Sequence, residues 1–210
     1  NKTNQCLDKE INLLHIFSDE WNFKKDICKS MIIHRLGLSN KIYARKCKIK
    51  ELSREEFNSF MNRCHISGGI NSSVRLGLLY KDKLVSAIGF RKPRQRKYSG
   101  YYEISRFACE LETAVIGGLS KLLKHFIKTK ETNKIMTYSD CRFGEGLGYK
   151  KVGFNKIGHT GLDYWYTDGQ QRYDRFTVRA KNNKSEREVA QELKVYKVWG
   201  CGSNIWVYNN

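Results

Sequence analysis

Acidic residues are scarce in this sequence, proline is almost absent, and no long apolar run interrupts it. The single proline, Pro93, leaves no proline-rich linker, and neither an internal repeat nor a low-complexity segment divides the chain. No stretch reaches the roughly 18 apolar residues of a membrane span, and no charged, apolar, small-residue leader opens the chain. The seven cysteines, at 6, 28, 47, 64, 109, 141 and 201, contain no CxxC pair, and an odd number cannot all pair internally. Free, mostly buried thiols in a reducing compartment are expected, which means the cytoplasm, or that of a host cell, and no metal site. The motifs GxxxxGK, HExxH and GxSxG are missing, so kinases, zincins and hydrolases of those types have no support. With Asn1 in the place of an initiator Met, a trimmed piece of a longer protein is an open expectation.

What is present in excess is positive charge. Lysine and arginine total 39 against 21 acids, a formal net charge of +18, which attracts polyanions over long range. Nucleic acid is the first partner to consider; the bland source of the same bias is an AT-rich genome, since Asn, Ile and Lys are all abundant. A hydrophobic content of 40% over 210 residues is enough to fill a core.

Along the chain, "EINLLHIF" (10–17) has the length of a strand, and "SDEW" begins a helix with Phe23, Ile27 and Met31 on one face. "KIYARKCKIK" (41–50) alternates apolar and basic residues like a half-buried strand. Ser53 with Glu56 is a capping-box signature for a helix to about Arg63. "VRLGLLYKDKLVSAIGFRK" (74–92) reads as two strands about a tight Lys-Asp-Lys turn, followed by an exposed basic loop at 93–100. "YYEISRFAC" (101–109) is a third strand, residues 117–128 a helix, 134–140 a strand, and "GEGLGYKKVG" a short helix before a strand at Phe154. A second capping box, Ser185 with Glu188, starts an amphipathic helix, and a hairpin is expected to turn on residues 200–203.

Phosphate contacts are expected from Lys41, Arg45, Lys46 and Lys48, from Arg91, Lys92, Arg94, Arg96 and Lys97, and from Arg142, Arg172 and Arg175. Interleaved Tyr43, Tyr98, Tyr101, Trp165 and Tyr173 are candidates to stack on unpaired bases. Glu103 and Arg106 lie three apart on a strand, which directs them to opposite faces and excludes a simple ion pair between them.

From 41 to 166 the order of elements resembles that of a mixed α/β acyltransferase of the GNAT class. The blocks "MNRCHISGGINSSVRLGLLYKDKLVSAIGF", "YEISRF" and "YSDCRFGEGLGYKKVGF" resemble, in the same order, those of GNAT-related phage Mom-like DNA-modification proteins. The resemblance implies a group converging on His65, Glu103, Arg106, Tyr138 and Asp140 at the strand ends, and transfer of an acyl-type group to adenine in DNA. His65 or Asp140 could remove a proton from an amine acceptor; Asp140 could equally cap the following helix. The same class binds an acyl-CoA-type donor at a helix N-terminus, here "VIGGLSK" with Gly117, Gly118, Ser120 and Lys121, although the glycine spacing departs from the class pattern. The start, "KTNQCLDKEINLLHIFSDEW", looks like the end of a nuclease core in phage homing endonucleases related to very-short-patch repair nucleases, without the catalytic acids and His that would precede it.

The resulting expectation is a nuclease-like remnant at 1–40, a GNAT-like domain at 41–180 and a helix-hairpin at 181–210. Its partner would be DNA, duplex or locally unpaired, with an upstream nuclease domain and no membrane. Two functions stay open: a DNA-binding or targeting module, or an active base-modifying transferase.

Overall fold

Local signals set where the elements begin. Ser53 Oγ accepts from Glu56 N while the Glu56 carboxylate accepts from Ser53 N, and Ser185 and Glu188 repeat the arrangement. Lys81 and Asp82, both at positive φ, make the two-residue turn that joins strands of right-handed twist. A computed structural model describes residues 2–9, 11, 13–173, 175–181 and 183–209. In chain order the elements are α1 (Lys2–Leu7), α2 (Ser18–Phe23), α3 (Lys25–Arg35), β1 (Asn40–Tyr43), β2 (Lys48–Glu51), α4 (Arg54–Cys64), β3 (Val74–Tyr80), β4 (Lys83–Arg91), β5 (Tyr102–Cys109), β6 (Thr113–Ile116), α5 (Gly118–Lys130), β7 (Ile135–Asp140), α6 (Leu147–Lys151), β8 (Asn155–His159), β9 (Tyr164–Thr167), β10 (Arg172–Tyr173), α7 (Arg175–Val178), α8 (Glu186–Glu192), β11 (Tyr196–Trp199) and β12 (Ser203–Tyr208). Turns of 3-10 helix occupy Ala44–Lys46, Arg96–Tyr98 and Cys141–Phe143.

The chain forms two compact units, one of Lys25–Tyr138, Gly148–Ile157 and Trp206–Asn210, the other of Asn1–Lys24, Ser139–Leu147 and Gly158–Ile205. The first holds 27 lysines and arginines against nine acids, and the second holds twelve of each. The entire formal charge of +18 therefore belongs to the first, called here the basic unit, and the second is the neutral unit.

The main sheet has the order β2-β3-β4-β5-β7-β12-β8, with parts of β7, β8 and β12 counted in the neutral unit. β2 to β5 are antiparallel, and β5 and β7 are parallel. In the basic unit α5 brings Leu122, Leu123 and Phe126 onto one face, where Phe126 stacks on Phe90 with ring centroids 3.6 Å apart. α4 brings Phe57, Phe60 and Met61 onto Ala87 and Ala108 of the other face. This is the expected mixed α/β architecture, a mixed sheet flanked by helices. A two-stranded parallel sheet of β1 and β6 stands beside it. The neutral unit has a sheet β10-β9-β11, whose Tyr166 packs with Val178, Val189, Ala190 and Val195. No helix among the described residues is long and apolar enough to cross a membrane. No disulfide joins any of the seven cysteines; burial and the neighbouring Glu110 carboxylate push the Cys64 thiol up to about 12, which keeps it unreactive.

Several expectations are corrected. Of the expected strand 10–17, Glu10 and Asn12 lie outside the described residues, and the rest is irregular: Ile11 N donates to Cys6 O and His15 N to Arg142 O, so no ladder forms. The helix read from Ser18 onward breaks at Lys24 into α2 and α3. The strand read over 41–50 is split by its 3-10 turn, because the buried residues Ala44 and Cys47 recur at a spacing of three rather than two. The strands flanking residues 200–203 do not form a hairpin: β11 pairs with β9, whereas β12 enters the main sheet.

The parity of β5 is also reversed. Between Gly89/Phe90 of β4 and β5 the register shifts, with Gly89 opposite Arg106 and Phe90 opposite Ile104, so Ser105 is an extra residue. Tyr102, Ile104, Phe107 and Cys109 share the α5 side, and Ala108 lies on the α4 side. Glu103 and Arg106 thus come to one face, not two. A Cβ at Gly89 would stand 2.6 Å from Phe57 Cζ, 2.6 Å from Ser72 Oγ and 2.9 Å from Ser105 Oγ. Gly89→Ala is expected to destabilise the protein by about 1–3 kcal/mol in chemical denaturation, through overpacking of this site.

Candidate functional site

The bulge gathers polar groups on the α4 side of the basic unit. Ser72 and Ser105 hydroxyls meet at 2.7 Å in a buried contact. Glu103 is buried and accepts from Arg91 Nη2 at 2.6 Å, the two being cross-strand partners. Arg106 Nε donates to Gly68 O at 3.0 Å and Nη1 to Ser105 O at 2.7 Å, tying the loop after α4 to the bulge. Burial, then the like charge of Arg91, lowers the pKa of Arg106 against the pull of Glu103. Tyr138 belongs to the same electrostatic group: burial, Tyr98 and Glu103 raise its phenol pKa and Arg91 opposes them, so the hydroxyl is protonated at neutral pH.

The ladder between β5 and β7 is two pairs long, Tyr102 with Ile135 and Glu103 with Met136. Beyond it the Thr137 hydroxyl donates to Ile104 O at 3.3 Å, in place of a main-chain bond. The ladder stops where the bulge begins. His65 caps the C-terminus of α4, and its Nδ1 accepts from Ser67 N at 3.1 Å. The neutral ring then carries its proton on Nε2, and Nδ1 is not available as a base.

Of the residues expected at a donor site, Gly117 is the αL N-cap of α5 and Gly118 is buried, its backbone close to Val115. Ser120 is half-buried. Lys121 Nζ donates to Ala44 O at 2.9 Å and Cys47 O at 2.5 Å, so its ammonium holds the 3-10 turn against α5. That turn presents Arg45 and Lys46, with Lys41 and Lys48 on either side; all four are exposed, as are Lys92, Arg94, Arg96 and Lys97. Tyr43 is 46% exposed with the Arg45 guanidinium over its ring, whereas Tyr98 is buried.

In the neutral unit Asp140 caps the 3-10 turn at Cys141–Phe143: Oδ1 accepts from Arg142 N and Oδ2 from Arg142 Nε, each at 2.9 Å. Arg142 is 5% exposed, and its Nη1 donates to the buried Glu20 carboxylate at 2.8 Å. Arg172 bonds the same Glu20 oxygen at 2.8 Å and Asp19 at 2.5 Å. Phe17, Phe143 and Trp165 lie against the Arg142 guanidinium, and Trp165 also lies against Arg172. Asp140, Arg142 and Arg172 are thus members of one ion network that secures α2. Arg175 is exposed beside the Tyr164 ring.

The structure therefore brings Glu103 and Arg106 to one face, leaves Tyr138 within the field of Glu103 and Arg91, sets His65 at the end of α4, and commits Asp140 to a turn. Sequence reasoning missed Arg91 as the partner of Glu103, and it missed the pairing of Ser72 with Ser105. An isolated glycine within a strand, Gly89, was the available signal for a bulge.

Removing Arg142 takes one of two arginine partners from the buried Glu20 carboxylate and empties the space between the Phe17, Phe143 and Trp165 rings. Arg142→Ala is expected to cost about 3 kcal/mol, read as a lower denaturation midpoint of the neutral unit.

No family model matches the chain, and no curated protein matches it in sequence. Among solved structures it is similar to an IAA acetyltransferase from Bacillus cereus, at 12% identity and a TM-score of 0.47 over 77% of this chain and 98% of that one. It is also similar to the ribosomal-protein-S18-alanine N-acetyltransferase from Escherichia coli, at 11% identity and a TM-score of 0.49 over 77% and 92%. A GNAT-family acetyltransferase from Streptococcus pneumoniae gives 11% identity and a TM-score of 0.45 over 77% and 98%.

Proposed function

We propose that this protein binds DNA through its basic unit, as a binding or targeting module of a phage or mobile-element protein built on a GNAT-like fold. The observation that carries the reading is the charge partition: 27 bases against nine acids in one unit, and a balance of twelve to twelve in the other. A solvated surface of mixed charge needs no such segregation, whereas a polyanion rewards it through counterion release. Exposed Lys41, Arg45, Lys46 and Lys48 adjoin α5, whose exposed residues include Lys124, Lys128 and Lys130. Tyr43 adds an exposed ring at the same place, suited to an unpaired base. The likeness of three sequence blocks to phage Mom-like proteins supports DNA as the polyanion.

Binding of labelled DNA, followed by anisotropy, is expected to weaken linearly on a log–log scale with salt. Exchanging Arg45 and Lys46 for Gln should lower the slope by about one for each phosphate that goes unneutralised. Undetectable affinity at low salt would overturn the proposal.

A second reading, acyl-type transfer to a DNA base, is favoured by one observation. The bulge and the short β5–β7 ladder set Glu103, Arg106 and Tyr138 near the end of that ladder, where a reacting group could be held. Incubation with acyl-CoA donors and DNA, followed by mass spectrometry of the nucleosides, should then show an adduct that Glu103→Gln diminishes. Unmodified bases across donors would leave the binding module alone.

A further inference from the structure

We infer that Arg91, Glu103 and Arg106, with the Tyr138 hydroxyl, form a receptor for one phosphodiester group of a polynucleotide strand. The inference deepens the DNA-binding reading and rests on it for the identity of the strand. Its own evidence is the imbalance of this cluster, which is distinct from the exposed lysines around Lys46.

Two guanidiniums here share a single carboxylate. Glu103 bonds Arg91 Nη2, and the only ion pair of Arg91 or Arg106 among the described residues is that one. Arg106 is held through Nε and Nη1 by main-chain carbonyls, which fix its plane without neutralising its charge. Its Nη2 has no protein partner among the described residues and is not fully buried, so it keeps donors for a further acceptor. The same is true of the Tyr138 hydroxyl. Arg91 Nε, by contrast, is buried with no acceptor among the described residues.

A half-buried site with a residual charge of one unit and pre-oriented donors is under-satisfied as it stands, since partly buried charge is unfavourable without a partner. A phosphodiester carries one negative charge and accepts in the fork geometry that guanidinium presents. Its arrival makes the set neutral. A monoester dianion would leave one negative charge over, so the charge count favours the internucleotide linkage. The protonated phenol of Tyr138 adds a neutral donor. Ser105 and Gly68 supply the carbonyls that orient Arg106, so the bulge is the device that turns it toward the site.

The test is calorimetric, on the full chain, with d(ApA), with the same dinucleotide carrying a neutral methylphosphonate linkage, and with 5′-dAMP. Binding of d(ApA) is expected to be roughly tenfold or more tighter than of the methylphosphonate, as befits a charge-assisted bond. Arg106→Lys, which keeps the charge and loses the fork, should cut that difference severalfold without abolishing it, and leave the salt slope for long DNA intact. Tighter binding of 5′-dAMP than of d(ApA) would assign the site to a free nucleotide phosphate and overturn the strand assignment. Equal binding of the charged and neutral dinucleotides would make the triad purely structural and overturn the inference. Should Arg106→Lys fail to fold, protection of Arg106 in the native protein against phenylglyoxal, read by peptide mass, gives the same answer: d(ApA) protects and the methylphosphonate does not. If d(ApA) discrimination persists while long DNA shows no salt-dependent binding, the DNA-module reading falls and the receptor stands. If long DNA binds with the expected slope and the dinucleotides are not distinguished, the reverse holds.

Discussion

One extra residue in β5 governs the polar site. Strands present alternate side chains to opposite faces, and β5 must supply Tyr102, Ile104, Phe107 and Cys109 to the core under α5. Without a bulge, 104 and 107 could not share a face. Ser105 provides the additional step, which carries Arg106 to the same side as Glu103 and Arg91. The partner strand accommodates it only because residue 89 has no side chain, leaving room for the Ser72–Ser105 contact and the Phe57 ring. Core packing on one face and charge clustering on the other are thus two results of one irregularity.

The two units use arginine differently. In the neutral unit Arg142 and Arg172 are matched against Asp19, Glu20 and Asp140 and enclosed by aromatic rings, so each buried charge has a partner. Such networks tolerate burial because the hydrogen-bonding capacity of every ion is largely used. In the basic unit the carboxylate at the bulge is outnumbered, and most lysines face solvent. A matched network holds a segment in place, whereas an unmatched one keeps capacity for an anion from outside.

Much of the fold was legible in the sequence. The Ser53–Glu56 and Ser185–Glu188 boxes, the Lys81–Asp82 turn and the apolar stripe of α5 are signals within one element, and each appears where its pattern places it. Readings that needed partners were less secure. The run after Glu10 has strand composition but finds no ladder, and the two strands near the C-terminus part into separate sheets because β11 pairs with β9 while β12 takes the place between β7 and β8. Asp140 illustrates the limit for the site. Its neighbour Arg142 reads in one dimension as a surface charge, and the buried Glu20 more than a hundred residues earlier makes it an interior one.

By itself the sequence determined the charge excess, the absence of a membrane-spanning helix among the described residues, the helix starts and the mixed α/β class, because each depends on composition or on spacing within a few residues. The tertiary structure alone decided where the charge resides, which arginines are matched, and that Glu103 and Arg106 face the same way. Those are properties of register and of pairing between distant segments, and a one-residue shift in register reverses the face of every side chain beyond it.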